Sequence, residues 1–210
     1  MEIYRLKPLS ICATYGYIVW GKNKNAVLID APDNAEYILS ELESRGLMLK
    51  KILLTHGHFD HVGAVADLAE KTGCEVYIHE NDLDKLSGIG DNLSDSFGGN
   101  KVKAYGKAIS VKDGDKITLD EMEFTVMHTP GHTKGSVCYI ADDIMFSGDT
   151  LFARSIGRTD MPDGNTLEML KSLTKIISIE KNLKIYTGHT ESTTLDIEKQ
   201  YNPYLKGCMR

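Results

Sequence analysis

The sequence predicts an α+β protein built from two sheets packed face to face, with helices outside them. Three observations carry this reading. Strand-like segments crowd both ends of the chain. Helical periodicity recurs in each half. In the first half the two alternate as strand–helix–strand–helix–strand, a pattern that pairs strands in parallel beneath covering helices.

Taken in order, Ile3–Lys7, Ala13–Trp20 and Ala26–Ile29 are short and rich in β-branched and aromatic residues. Turn formers such as Gly21-Lys22-Asn23 divide them, so each reads as a strand. Asn34–Arg45 has helical spacing (Tyr37, Ile38, Leu42) and ends at Gly46, a residue suited to a C-cap. Lys51–Leu54 is an apolar strand. Val62–Lys71 reads as a helix on Val65, Leu68 and Ala69, stopped near Gly73, and Glu75–Ile78 as a further strand. Ser87–Lys107 carries five glycines and little periodicity, which makes it a long loop of the functional or disordered kind. Strands are expected at Lys116–Leu119, Glu123–His128, Ser136–Ile140 and Ile144–Ser147, then a helix over Leu167–Ile177 and a strand over Lys184–Tyr186. No repeat, linker or low-complexity segment divides the 210 residues, a length suited to one domain (1–210) with a substantial core.

Composition narrows the class. No apolar run approaches the roughly 18–20 residues of a membrane span, and the N-terminus shows no basic segment followed by an apolar one. The four cysteines, Cys12, Cys74, Cys138 and Cys208, are far apart and form no Cys-x-x-Cys pair. Reduced thiols in a cytoplasmic protein are the expectation. A net charge of −6 without a basic run weighs against nucleic acid as a main partner. Oligomeric state is not legible.

Seven histidines occur in the chain, and five of them join two aspartates at segment ends. Thr55-His56-Gly57-His58-Phe59-Asp60-His61 follows the apolar strand directly. Residues i and i+2 of a strand point the same way, so His56 and His58 can chelate one ion. Asp60 and His61, at the entrance of the next helix, can address a second. Gly57 is expected to supply a backbone angle that a larger residue resists. Pro130-Gly131 forces a turn that presents His132. Gly148-Asp149 and Gly188-His189 repeat the arrangement of strand, glycine and donor. A carboxylate such as Asp149 can bridge two ions. Imidazole and carboxylate donors suit an open metal site better than a closed structural zinc site, which is normally cysteine-rich. His128, at a strand's last position, reads as packed or hydrogen-bonded, and His79 as exposed or capping. Asp30 reads either as a partner orienting the His56 loop or as a helix cap.

In this order and separation, His-x-His-x-Asp-His, Pro-Gly-His-Thr, Gly-Asp-Thr and Gly-His resemble the metallo-β-lactamase superfamily. The resemblance covers nearly the whole chain. It implies a four-layer αββα sandwich of two mixed sheets with helices on the outer faces. It implies two divalent metal ions, zinc being expected and iron or manganese suiting the donors equally. One ion would be held by His56, His58 and His132, the other by Asp60, His61 and His189, with Asp149 between them; Asp60 and Asp149 are the catalytic carboxylates. Gly148-Asp149-Thr150-Leu151-Phe152, Gly157-Arg158-Thr159-Asp160 and Asn202-Pro203-Tyr204 resemble short glyoxalase II-like (hydroxyacylglutathione hydrolase-like) members. Thr190-Glu191 departs from the Gly-Pro common there. The C-terminal helical domain that supplies glutathione contacts in longer members is not expected.

The implied activity is hydrolysis of a thioester or ester by metal-activated hydroxide. The implied substrate is a small molecule, an anionic acyl thiol, held by Arg158 and touched by Phe97 from the covering loop. The competing pairing for Arg158 is Asp160 or Asp163. Cysteine in place of Asp149 would mark the best-known β-lactamases, and an acidic residue in place of His58 the flavodiiron relatives. An iron persulfide dioxygenase using His56, His132 and Asp149, or a lactonase, is the alternative within the superfamily.

Overall fold

The structure is a computed structural model describing residues 1–88, 91–97 and 101–208. Its first sheet has the order β1 (Glu2–Arg5), β2 (Tyr17–Trp20), β3 (Asn25–Ile29), β4 (Met48–Leu53), β5 (Glu75–His79) and β6 (Ile109–Val111). The pairs β1–β2 and β2–β3 are antiparallel; β3–β4, β4–β5 and β5–β6 are parallel. The helices α1 (Ala35–Ser44), α2 (Phe59–Val62), α3 (Val65–Thr72), α4 (Leu83–Ser87) and α5 (Ser94–Phe97) fall between β3 and β6. The second sheet contains β7 (Lys116–Leu119), β8 (Met122–His128), β9 (Val137–Ala141) and β10 (Ile144–Gly148). A small ribbon, β11 (Leu151–Phe152) and β12 (Ser155–Ile156), and the helix α6 (Thr166–Ile177) follow. The chain then adds β13 (Lys184–Thr187), β14 (Thr193–Thr194), α7 (Leu195–Tyr201) and α8 (Pro203–Cys208), giving the sheet order β14-β13-β10-β9-β8-β7.

Alternation along the strands builds four layers. Tyr17 and Val19 of β2, with Val27 and Ile29 of β3, meet Phe124, Val126, Tyr139 and Phe146 of the other sheet. Their neighbours Ile18, Trp20, Ala26 and Leu28 point the other way, to Ile38, Leu42 and Leu68 of α1 and α3. Cys138, Met145 and Ile185 carry the second sheet onto Met169, Leu173 and Ile176 of α6. Strands buried on both faces, such as β2 and β3, need apolar residues at nearly every position. The fold is therefore the αββα sandwich of two mixed sheets with helices on the outer faces.

Local chemistry sets the boundaries. Asn34 starts α1, its Oδ1 accepting from Tyr37 N at 3.0 Å. Gly73 ends α3 with φ 69°. Four differences from the sequence reading stand out. The segment before β2 is a turn, closed by a bridge between Leu9 and Thr14. The helix expected over Val62–Lys71 begins at Val65 as α3, and Val62 instead closes the separate short helix α2; at the junction Pro32 lies against Gly63 and the Ala31 backbone bonds both His61 and Ala64. The long loop contains α4's end and α5, with residues 89–90 and 98–100 outside the described set. The strand β6 and the helices α7 and α8 are additions. No helix among the described residues is long and apolar enough to cross a membrane. The four cysteines are free thiols.

Through β9, the strands β8, β10 and β13 all run in one direction. Their C-terminal ends meet the end of β4, where Thr55 O accepts from Val137 N (2.8 Å) and Leu54 O from Tyr139 Oη (2.9 Å). The candidate site lies at this shared edge.

Candidate metal centre

Each element end delivers a donor. The segment after β4 carries His56 and His58, and α2 itself carries Asp60 and His61, one step further inside the helix than the sequence implies. The segments after β8, β10 and β13 carry His132, Asp149 and His189. All are buried except His189, which is partly exposed. Gly57 has a reason other than backbone angle: a Cβ there would come within 2.8 Å of the Lys85 side chain. Gly188 lies so close to Asp149 and His61 that no side chain fits.

The donor atoms converge in three groups: His56, His58 and His132; Asp60, His61 and His189; and His56, His61 and Asp149. His58 Nδ1 lies 2.9 Å from His132 Nε2, and His61 Nε2 lies 3.3 Å from His189 Nε2. Asp149 sits between the triads. Its Oδ2 is 3.5 Å from His132 Nε2 and 3.1 Å from His189 Nε2, and its Oδ1 is 3.4 Å from His61 Nε2.

Outer partners fix which nitrogen faces inward. His61 Nδ1 bonds Asp30 Oδ2 (2.9 Å), His132 Nδ1 bonds Arg158 O (2.8 Å), and His189 Nδ1 bonds Cys12 O (3.1 Å). His56 Nδ1 meets Thr55 Oγ1 at 3.1 Å. Four Nε2 atoms and one Nδ1, that of His58, are thus turned to the centre. Asp30 resolves its two readings: it also accepts from Thr55 N and Oγ1, both at 2.8 Å, while Asn34 caps the helix. Asp60 Oδ2 accepts from Thr14 Oγ1 at 2.7 Å.

Burial, reinforced by neighbouring imidazoles, holds His56 and His58 well below the usual histidine range, so both keep a free lone pair. Burial alone would lower His61 as well, but Asp60, Asp149 and Asp30 outweigh it and lift it well above. His189 is raised likewise, Asp149 outweighing burial. Burial would raise Asp149, yet His189 and His61 hold it well below the carboxylate range. Two buried atoms at the centre, His56 Nε2 and Asp149 Oδ1, have no hydrogen-bond partner. A buried acceptor left unpaired is costly. Two such atoms facing a common point, beside the neutral imidazoles of His56 and His58 and the ionised Asp149, fit divalent metal ions as their missing partners.

Asp82 escaped the sequence reading. It is fully buried and accepts from Gly57 N (2.9 Å), Gly135 N (2.9 Å) and Thr133 Oγ1 (2.8 Å), tying the His56 loop to the His132 loop. Nothing local marks it, since its partners lie far away in sequence. His79 and His128 stand outside the cluster, stacked at 3.9 Å. His79 is buried and caps the turn Glu80–Asp82 by accepting from Asn81 N. His128 bonds Lys134 O.

A cavity of about 270 Å³ opens from the cluster. Both Phe97 and Arg158 line it. The Arg158 guanidinium is chelated by Asp160, Nε to Oδ1 and Nη2 to Oδ2 at 2.9 Å each. Cys12 also lines the cavity, its thiol pushed up to about 11 by burial.

Two mixed sheets under helices, with a buried histidine–carboxylate cluster at their common edge, define the metallo-hydrolase class of scaffold. The chain belongs to the metallo-β-lactamase superfamily, whose family model matches residues 10–189. It is 35% identical to the hydroxyacylglutathione hydrolase GloC of Haemophilus influenzae, over 90% of this chain and 91% of that protein. The crystal structure of the BLEG-1 B3 metallo-β-lactamase superposes with a TM-score of 0.91 and 33% identity, covering 98% of this chain and 100% of that one. The structure of TTHA1623 in a di-iron-bound form gives 0.86 and 34%, covering 96% and 99%.

Proposed function

We propose that the protein is a dinuclear metal-dependent hydrolase of thioester or ester acyl bonds. The observation that carries this is Asp149, lying between two complete triads, with its Oδ1 and His56 Nε2 buried and unpartnered. His56, His58 and His132 would hold one ion, Asp60, His61 and His189 the other, and Asp149 both. Bound there, the ions would supply an acidified water and Lewis acidity for a carbonyl oxygen. The chain's own residues do the rest. Asp30, Arg158 O, Cys12 O and Thr55 Oγ1 fix ring orientations. Asp60 and Asp149 both line the cavity, so a water at the cluster has a carboxylate oxygen near it to take a proton. In the net reaction, water oxygen bonds the acyl carbon, the carbon–sulfur or carbon–oxygen bond breaks, and the leaving group takes the proton. Phe97 and Arg158 border the space where substrate would enter.

The likeness to GloC supports an acyl thiol as substrate, and the likeness to BLEG-1 places β-lactams on the same test panel. A single-iron persulfide dioxygenase would leave Asp60, His61 and His189, gathered within ligand distance of one another, without an ion. The test is metal quantification coupled to hydrolysis of S-lactoylglutathione, other acyl thiols, lactones and lactams. Two ions per chain with thioester or ester turnover is the expected result. One iron per chain with oxygen consumption on glutathione persulfide would overturn it.

A further inference from the structure

The cavity beside the cluster holds about 270 Å³, the share of about nine waters in the liquid. Its floor is the histidine–carboxylate cluster, but its walls are apolar. Phe97 of α5 stands on one side, 42% exposed and stacked on Phe59 at 6.3 Å. Phe152, Ile156 and Met161, all partly exposed, come from the ribbon β11–β12 and the segment after it. Apolar side chains that keep solvent-facing surface around one cavity mark a place where an apolar group binds.

Charge points the same way. Among the described residues, Arg158 is the only lysine or arginine on the wall, and Asp160 already chelates it. The polar recess next door contains Lys85 and Lys134, but both pair with Asp163, and Asp84 and Asp91 line it too. Away from the floor, where the ions would sit, neither space offers a side-chain cation free of a carboxylate partner to a charged acyl group.

We infer, resting on the hydrolase reading, that the acyl group taken by this site is apolar and uncharged and lies against Phe97, Phe152, Ile156 and Met161. This narrows the anionic acyl thiol expected from the sequence to one whose acyl group is uncharged, because Arg158, the residue expected to hold a substrate carboxylate, is paired with Asp160.

The test uses metal-loaded protein and N-acetylcysteamine thioesters bearing acetyl, butanoyl, hexanoyl or succinyl groups. Ketone analogues with CH2 in place of sulfur are measured beside them by calorimetry. Each buried methylene is expected to raise kcat/KM roughly threefold, and analogue affinity in parallel. Succinyl should fall below butanoyl. F97A and M161A should each cut the hexanoyl-to-acetyl ratio at least about fivefold, a ratio within one protein that folding yield does not affect. A flat series, or succinyl exceeding butanoyl, overturns the inference. Ketones that bind with the slope while no thioester turns over would remove the hydrolase reading and leave the pocket assignment standing. Turnover without slope would do the reverse.

Discussion

At the scale of single residues, the cluster depends on atoms that never face substrate. Asp30 accepts three hydrogen bonds, one of them from His61, so D30N puts an amide where a carboxylate is needed. Metal affinity should fall about 10–100-fold, read by competition with a chromophoric chelator. Asp60, Asp149 and Asp30 lift His61 well above the usual histidine range in the metal-free protein, so an ion taking its Nε2 competes with a bound proton. Metal binding should therefore release protons, and apparent affinity should climb as pH rises toward the raised folded value of His61. Calorimetry in buffers of different ionisation enthalpy measures both. The sign for the metal-free fold is opposite: His61's contribution is fully present below about pH 6.5 and fades as pH rises through its folded value. The seven cluster residues were legible because each sits in a short run with its own glycine or neighbouring donor. Asp82 and Thr14 were not, because their partners are brought near by folding alone.

At the scale of elements, strands and long helices were readable from apolar runs, and short elements were not. The three residues of β6 bury only Val111. The helices α7 and α8 have seven and six residues, too few to display a period. The break between α2 and α3 comes from Pro32 packing on Gly63, a contact between segments. Asn202, singled out by motif, is fully buried and donates to Ser155 O at 3.0 Å, anchoring α7–α8 to the ribbon beside the cavity. The turn that holds Asp82 does comparable work between the His56 and His132 loops. Replacing Asp82 with Ala strands the Gly57 and Gly135 amides and leaves the buried Lys85 only Asp163 as a partner, at a cost of about 3 kcal/mol. Tm should drop by about 6–12 °C in calorimetry. A drop under about 2 °C would show that the loops hold together without it.

At the scale of the whole molecule, the two halves share the centre. His56, His58, Asp60 and His61 belong to the first, and His132, Asp149 and His189 to the second. Ions bound between them would cross-link the sandwich and stabilise only the folded state. Chelation should then lower Tm, by about 5–11 °C if the ion is present at about a hundred times its Kd. Restoring the metal should restore Tm. The parallel sense of β8, β10 and β13 has a consequence for ancestry and redesign. Each donor follows closely on the end of its strand, so the segments beyond the donors can be lengthened, shortened or exchanged while the donors keep their places beside the sheet. A lineage built on this plan can change what it consumes by rewriting loops, and an engineer retargeting this chain would start at the segments around Phe97 and Met161 and leave the strand ends alone.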